Sequence, residues 1–283
     1  MTQQPPRPLH SHEPSAARDV SGVLNINKPS GVTSFWVVKQ VRRILGVKRT
    51  GHCGTLDPMA EGVLLIVFGS ATRHQNTFMA GAKTYRARMQ LGVTTNTGDA
   101  TGKTITQKSP EDVYACLDRV ALLRGPGIAG RIIAFFTPRG KRTVLGVETV
   151  LKRFTGTIQQ VPPMFSALKY HGRRLYELAR KGETVVRQPR TVKIYRIEIL
   201  SLKDTVLEFR VECSRGTYIR TLCEDIGAAL GCGATMSYLC REKVGTFDLS
   251  SAVDGKSLSS LSRGELLKKA IQKDSFSRHS AHV

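Results

Sequence analysis

The sequence contains no stretch of about 18 consecutive apolar residues, the length a membrane-crossing helix requires. Its first 20 residues, MTQQPPRPLHSHEPSAARDV, lack the apolar centre of a secretory signal. They are polar and Pro-rich, and Glu13 and Asp19 argue against an organelle transit peptide, so residues 1–20 are expected to form a disordered leader. No pair among the six cysteines (Cys53, Cys116, Cys213, Cys223, Cys232 and Cys240) has C-x-x-C spacing, and the seven histidines form no ligand cluster. That excludes the common zinc signatures and predicts no metal and no cofactor. Free thiols fit a reducing cytoplasm better than a disulfide framework. Acidic residues are scarce: 22 Asp and Glu stand against 43 Lys and Arg, a formal net charge of +21. Such an excess points to a polyanionic partner, nucleic acid before an anionic membrane surface.

What is present is a hydrophobic share of 40%, enough for a buried core. Val23–Ile26 reads as a short strand closed by the turn Lys28-Pro29-Ser30-Gly31. Ser34 is placed as the N-cap of a helix carrying Val37, Val38, Val41, Ile44 and Leu45, which Gly46 ends. Val63–Phe68 is an apolar strand. Lys83–Leu91 alternates, with Tyr85, Ala87, Met89 and Leu91 on one side. Ser109-Pro110-Glu111-Asp112 starts another helix. Leu207, Phe209, Val211 and Cys213 alternate again, and Ile219, Leu222, Ile226 and Leu230 have helical spacing. Strands and helices mix without a βαβ rhythm, so the expected class is α+β. Gly125-Pro126-Gly127-Ile128-Ala129-Gly130 is a literal G-x-G-x-x-G, a weak signal of a dinucleotide site when it stands alone.

One loop is rich in chemical possibility: Gly51-His52-Cys53-Gly54-Thr55-Leu56-Asp57-Pro58-Met59-Ala60-Glu61-Gly62. Its glycines allow unusual backbone angles and Pro58 stiffens the chain after the acid. A rigidly held Asp57 beside a strand is placed as a catalytic carboxylate would be. A turn Asp that bonds its own backbone is the commoner role of such a residue. Arg220, at the start of a predicted helix in Cys213-Ser214-Arg215-Gly216-Thr217-Tyr218-Ile219-Arg220, is suited to pair with a carboxylate and orient it.

The run GHCGTLDPMAEGVL at 51–64 closely resembles the signature loop of the TruB family of tRNA pseudouridine synthases. LNINKPSGVTS at 24–34, KTYRARMQLG at 83–92, QQVPPMFSALKYHGRRLYELARKG at 159–182 and CSRGTYIRTLCEDIG at 213–227 resemble its other motifs, in the family's order. The resemblance implies an α+β pseudouridine synthase fold: a mixed, mostly antiparallel sheet in two halves with a central active-site cleft. It implies an isomerase acting on the T-loop uridine, position 55, in the T stem-loop of tRNA, working as a monomer without a protein partner, metal or cofactor. It makes Asp57 the catalytic carboxylate, Arg220 its partner and Tyr85 the platform under the target base, near its C5 proton. Tyr218 and Leu239 line the base pocket, and His52 fills the space the flipped nucleotide vacates. Lys28, Gly54 and Pro58 shape the loop.

The chain departs from the family pattern in three places. About 25 residues at 121–145 look inserted before LGVETVLKRFTGTIQQ, and they are expected to be a loosely packed excursion of the catalytic domain at 21–249. Cys240 stands where an Arg is common, which predicts a weakened backbone contact. The tail at 250–283 is too short for the C-terminal PUA domain usual in the family. Rival functions are a non-catalytic tRNA-binding or tRNA-folding protein and a synthase acting on another RNA.

Overall fold

Strand alternation organises the molecule, a computed structural model that describes residues 20–122 and 139–272. Strand β1 (Gly22–Lys28) leads into helix α1 (Ser34–Leu45), then β2 (Thr50–His52) and β3 (Glu61–Phe68). A short 3-10 turn and α2 (Gln75–Ala80) precede β4 (Lys83–Leu91), β5 (Val93–Thr95) and β6 (Thr104–Gln107). Helices α3 (Pro110–Leu122) and α4 (Arg139–Lys152) pack together, followed by β7 (Gly156–Gln160) and the small hairpin β8 (Lys169–Tyr170) and β9 (Arg173–Arg174). Then come α5 (Leu175–Ala179), β10 (Arg190–Lys203), β11 (Val206–Cys213), α6 (Ile219–Leu230) and β12 (Ala234–Val244). The chain continues through β13 (Phe247–Asp248), β14 (Val253–Asp254), α7 (Arg263–Lys268) and β15 (Ile271–Gln272).

Among the described residues, one 11-stranded sheet runs β14-β1-β3-β12-β4-β11-β10-β7, with β2, β13 and β15 attached to β3, β12 and β1. Only β1–β14 and β3–β12 are parallel. The sheet is therefore mixed and mostly antiparallel, as expected. Its two halves meet where β3 and β12 touch, through only the pairs Cys240↔Glu61 and Arg241↔Gly62.

Each element follows from its pattern. In β4 the side of Tyr85, Ala87, Met89 and Leu91 is buried, while Arg86, Arg88 and Gln90 lie on the more open side. The unbroken apolar run of β3 reflects burial on both faces: Leu64, Ile66 and Phe68 join one core cluster, and Val63, Leu65 and Val67 the other. In α1, Val37, Val38, Val41 and Leu45 form the buried stripe. Its N-cap is Thr33, whose hydroxyl accepts from the Trp36 amide, and not Ser34. Ser34 is already helical because its hydroxyl is engaged with the backbone of Leu56.

The expected insertion at 121–145 begins and ends inside helices α3 and α4, and residues 123–138, with the G-x-G-x-x-G run, lie outside the described residues. So do residues 1–19 of the expected leader. The tail beyond 249 extends the sheet edge: β14 and β15 both pair with β1, and Arg263 Nε donates to the Leu45 carbonyl at 3.1 Å. Among the described residues no helix is long and apolar enough to cross a membrane.

The seam between the halves is close-packed at Gly62, whose φ is +105°. A Cβ there would meet the Arg241 backbone oxygen at 2.3 Å and nitrogen at 2.7 Å. Gly62→Ala should therefore destabilise the protein by at least about 2 kcal/mol, from positive φ and steric overlap together. A urea midpoint equal to that of the wild type would show that the seam is looser than this.

Candidate active site

The acidic loop between β2 and β3 is held from behind by the turn that follows β1. Lys28 is wholly buried, and its ammonium donates to the carbonyls of Pro29 at 2.8 Å, Val32 at 2.7 Å and Pro58 at 3.3 Å. The Gly31 amide donates to the Pro58 carbonyl at 2.8 Å, and the Ser30 hydroxyl to the Met59 carbonyl at 2.8 Å. The Ser34 hydroxyl donates to the Leu56 carbonyl at 3.0 Å and accepts from the Leu56 amide at 2.9 Å. Five contacts thus bracket Asp57 on both sides, which is how a short Pro- and Gly-containing loop becomes rigid. Burial draws the Lys28 ammonium down to about 8, partly offset by the nearby Asp57 carboxylate.

Asp57 meets Arg220, the expected partner 163 residues away in the chain. Arg220 Nε donates to Asp57 Oδ2 at 2.9 Å and Nη2 to Oδ1 at 3.3 Å, a two-pronged pair that fixes the plane of the carboxylate. The remaining guanidinium donors reach the carbonyls of Thr97 at 2.9 Å and Phe165 at 2.6 Å. The buried Asp99 carboxylate lies 3.8 Å from Nε. The Arg220 side chain is 4% exposed and that of Asp57 32%, so the carboxylate faces an opening while its partner does not.

The other expected residues gather here from different strands. Tyr85 and Leu239 are buried on adjacent strands β4 and β12, Leu239 paired with Ala87 in register. Burial raises the Tyr85 phenol above its ordinary value, and the Arg241 guanidinium beside it pulls it back. Tyr218, half-buried just before α6, is gripped through its backbone by Gln160: the Tyr218 amide donates to Oε1 at 2.9 Å, and Nε2 donates to the Tyr218 carbonyl at 3.0 Å. Burial raises its phenol as well. His52 ends β2. Burial, with Arg241 and Arg174 nearby, lowers its pKa and keeps the imidazole neutral, and its Nδ1 is buried without a hydrogen-bond partner among the described residues. Gly54 takes a φ of +96°, which its lack of a side chain permits.

Several residues around the site were not singled out from the sequence. Arg241 is 1% exposed, and it donates from Nε to the Val63 carbonyl at 2.7 Å and from Nη2 to the Gly54 carbonyl at 3.1 Å. Lys83 is also buried, its ammonium shared by the carbonyls of Met79 and Gly81, and burial lowers it to about 8. Asp99 and Gln160 complete the set. Among the described residues, no three His, Cys, Asp or Glu side chains gather as a metal site would require.

What the geometry offers is a rigid, partly open carboxylate next to a buried aromatic lining. Comparison with known proteins gives the family. The profile described as TruB family pseudouridylate synthase (N terminal domain) matches residues 42–121 and 129–219, passing over 122–128. That of the tRNA pseudouridylate synthase B C-terminal domain matches 220–273. The chain is 39% identical over 253 residues to the tRNA pseudouridine synthase B of Endomicrobium trichonymphae, covering 89% of this chain and 96% of that one. It is 43% identical over 244 residues to that of Stutzerimonas stutzeri (strain A1501), covering 86% and 70%. Among solved structures, a chain of a Cbf5-Nop10-Gar1 complex superposes with a TM-score of 0.58 at 29% identity, covering 88% of this chain and 59% of that one. The chain thus spans about three-fifths of that larger protein. With its profile matches and its relatives alike, this chain belongs to the TruB family of pseudouridylate synthases.

Proposed function

We propose that this protein is an isomerase that converts the T-loop uridine of tRNA, position 55, to pseudouridine, with Asp57 as its catalytic carboxylate. The observation that carries the reading is the two-pronged Asp57–Arg220 pair, a fixed and partly exposed carboxylate within electrostatic reach of the Tyr85 and Tyr218 phenols. Relatives about 40% identical, named for tRNA, favour tRNA over other RNAs. We place the protein in the cytoplasm, where its six buried, unpaired thiols stay reduced.

The reaction breaks the bond from C1′ to N1 and joins C1′ to C5 of the same base. A base stacked in a folded loop is out of reach, so the nucleotide must first be flipped into the pocket. As the glycosidic bond breaks, C1′ becomes electron-poor, and the Asp57 carboxylate answers that deficiency. Arg220 holds the carboxylate in one plane throughout. The detached uracil turns between Tyr85 and Leu239, and C5 then bonds to C1′. The C5 proton leaves toward the Tyr85 hydroxyl. Surface Lys and Arg, part of the net +21, draw in the RNA phosphates.

Asp57→Asn should abolish isomerisation of unmodified tRNA while leaving tRNA binding within about threefold, because phosphates and not the carboxylate carry affinity. Chemical mapping of pseudouridine together with filter binding reads both. A variant keeping more than about 1% of the wild-type rate would remove Asp57 from the chemistry. Retained modification at a site other than the T loop would instead reassign the RNA substrate.

Tyr85→Phe keeps the ring and loses the hydroxyl. It should bind tRNA normally and turn over about 100-fold or more slowly, the usual scale for a lost proton acceptor. A wild-type rate in single-turnover assays would leave Tyr85 as a stacking platform only, worth about 1–3 kcal/mol to the flipped base.

A further inference from the structure

Arg241 is a buried cation that the reading above leaves without a task. Among the described residues no carboxylate pairs with it. A fully buried charge held only by carbonyls is costly, and replacing it with an apolar side chain of similar volume is often neutral or stabilising. Packing alone therefore does not explain it.

Its position does. Arg241 sits opposite Tyr85 in the β4–β12 register and opposite Gly62 in the β3–β12 register, so its backbone lies at the junction of the two sheet halves. The guanidinium takes the Val63 carbonyl at 2.7 Å and the Gly54 carbonyl at 3.1 Å. Gly54 lies three residues before Asp57 in the same rigid loop. Arg241 and Tyr85 thus leave neighbouring strands on the same buried face, and the cation pulls the phenol's pKa down against the effect of burial. The other groups facing that hydroxyl, Cys213 from β11 and Asp57 from the loop, act in the opposite sense. Lys28, His52, Cys53 and Lys83 surround Arg241 itself. Of these groups around the phenol, Arg241 is the one that would stabilise negative charge on its oxygen.

We propose that Arg241 is a positioning residue for proton removal: it holds the Tyr85 hydroxyl and the Asp57 loop in one frame and stabilises the charge that develops on Tyr85 Oη as the C5 proton is taken. This rests on the reading of Tyr85 as the proton acceptor. In the step, the C5–H bond breaks and its electron pair restores the C5–C6 double bond. The proton goes to Tyr85 Oη while the phenol's own proton leaves to solvent. N1, which kept the electron pair of the broken glycosidic bond, takes a proton from solvent. Oη is most anionic as its own proton leaves, and that is the moment at which Arg241 acts.

The test is single-turnover release of tritium from tRNA labelled at uridine C5, followed across pH, for Arg241→Met, Arg241→Lys and both combined with Tyr85→Phe. Arg241→Met should bind tRNA as the wild type does and release tritium about 100-fold more slowly. Its rate should keep rising to higher pH than that of the wild type, since the phenol loses the cation that eased its ionisation. Arg241→Lys keeps the charge and should stay within about tenfold of the wild type with its pH profile unmoved. In the Tyr85→Phe background, Arg241→Met should add less than about threefold, because the two act as a unit. A multiplicative loss there would overturn the proposal and leave the reading of Tyr85 standing, whereas a fully active Tyr85→Phe would remove both. Equal loss in the Met and Lys variants together with weakened tRNA binding would mark Arg241 as structural only, overturning the proposal. If the Met variant does not fold, the Lys variant decides: partial rate with an unmoved profile upholds the proposal, and loss to the Tyr85→Phe level overturns it.

Discussion

A guanidinium that is 4% exposed needs partners for its donors, and Arg220 finds them on three distant segments. Asp57 takes two donors, and Thr97 and Phe165 supply backbone carbonyls for the others. The loop before β3, the turn after β5 and the stretch after β7 are therefore located by one side chain from the first turn of α6. Loss of any of these acceptors would leave a buried cation short of a partner, a cost of about 3–5 kcal/mol when an entire partner is removed. The carboxylate is held by a group that water cannot reach, while its own outer side remains open to a substrate.

The seam between the sheet halves explains why the site lies where it does. Strands β3 and β12 share only two residue pairs, so the sheet opens immediately beyond them. The loop that carries Asp57 enters β3 at the place where this backbone pairing is made. Beside it, Tyr85 and Leu239 lie buried on the neighbouring strands β4 and β12. Gly62 lets β12 approach closely enough to bring Arg241 under the loop. Fold and site share this constraint: widening the seam would move the Asp57 loop away from the buried side of β12.

Much of this was legible from side-chain periodicity. The alternation of Lys83–Leu91, the helical spacing from Ile219 to Leu230 and the apolar run Val63–Phe68 each correspond to an observed element. Those signals are local, and hydrophobic burial enforces them strongly. The choice of Ser34 as N-cap failed because two adjacent hydroxyls compete, and which of them caps depends on the position of Leu56, 22 residues on. Lys28 entered through the resemblance, but Lys83 and Arg241 were harder to place, since a cation in a strand ordinarily marks a solvent face. Here each is buried against backbone carbonyls instead. Asp99 and Gln160 carry no local pattern, because their partners Arg220 and Tyr218 lie more than a hundred or several tens of residues away. The motifs drew attention to Asp57 and Arg220 separately. Only the folded chain joins them.

The positive charge of the chain divides into two populations with different physics. The exposed Lys and Arg that make up most of the net +21 act through solvent, where salt screens them beyond about 8–10 Å. Arg220, Arg241, Lys28 and Lys83 are buried, and carbonyls or carboxylates in direct contact hold each of them. Salt weakens the first population and leaves the second nearly untouched. The two populations therefore respond to different variables: ionic strength reaches the exposed charges, and only substitution or pH reaches the buried ones. A surface whose charges act through solvent can coexist with buried cations held by direct contacts, because the two sets share no groups.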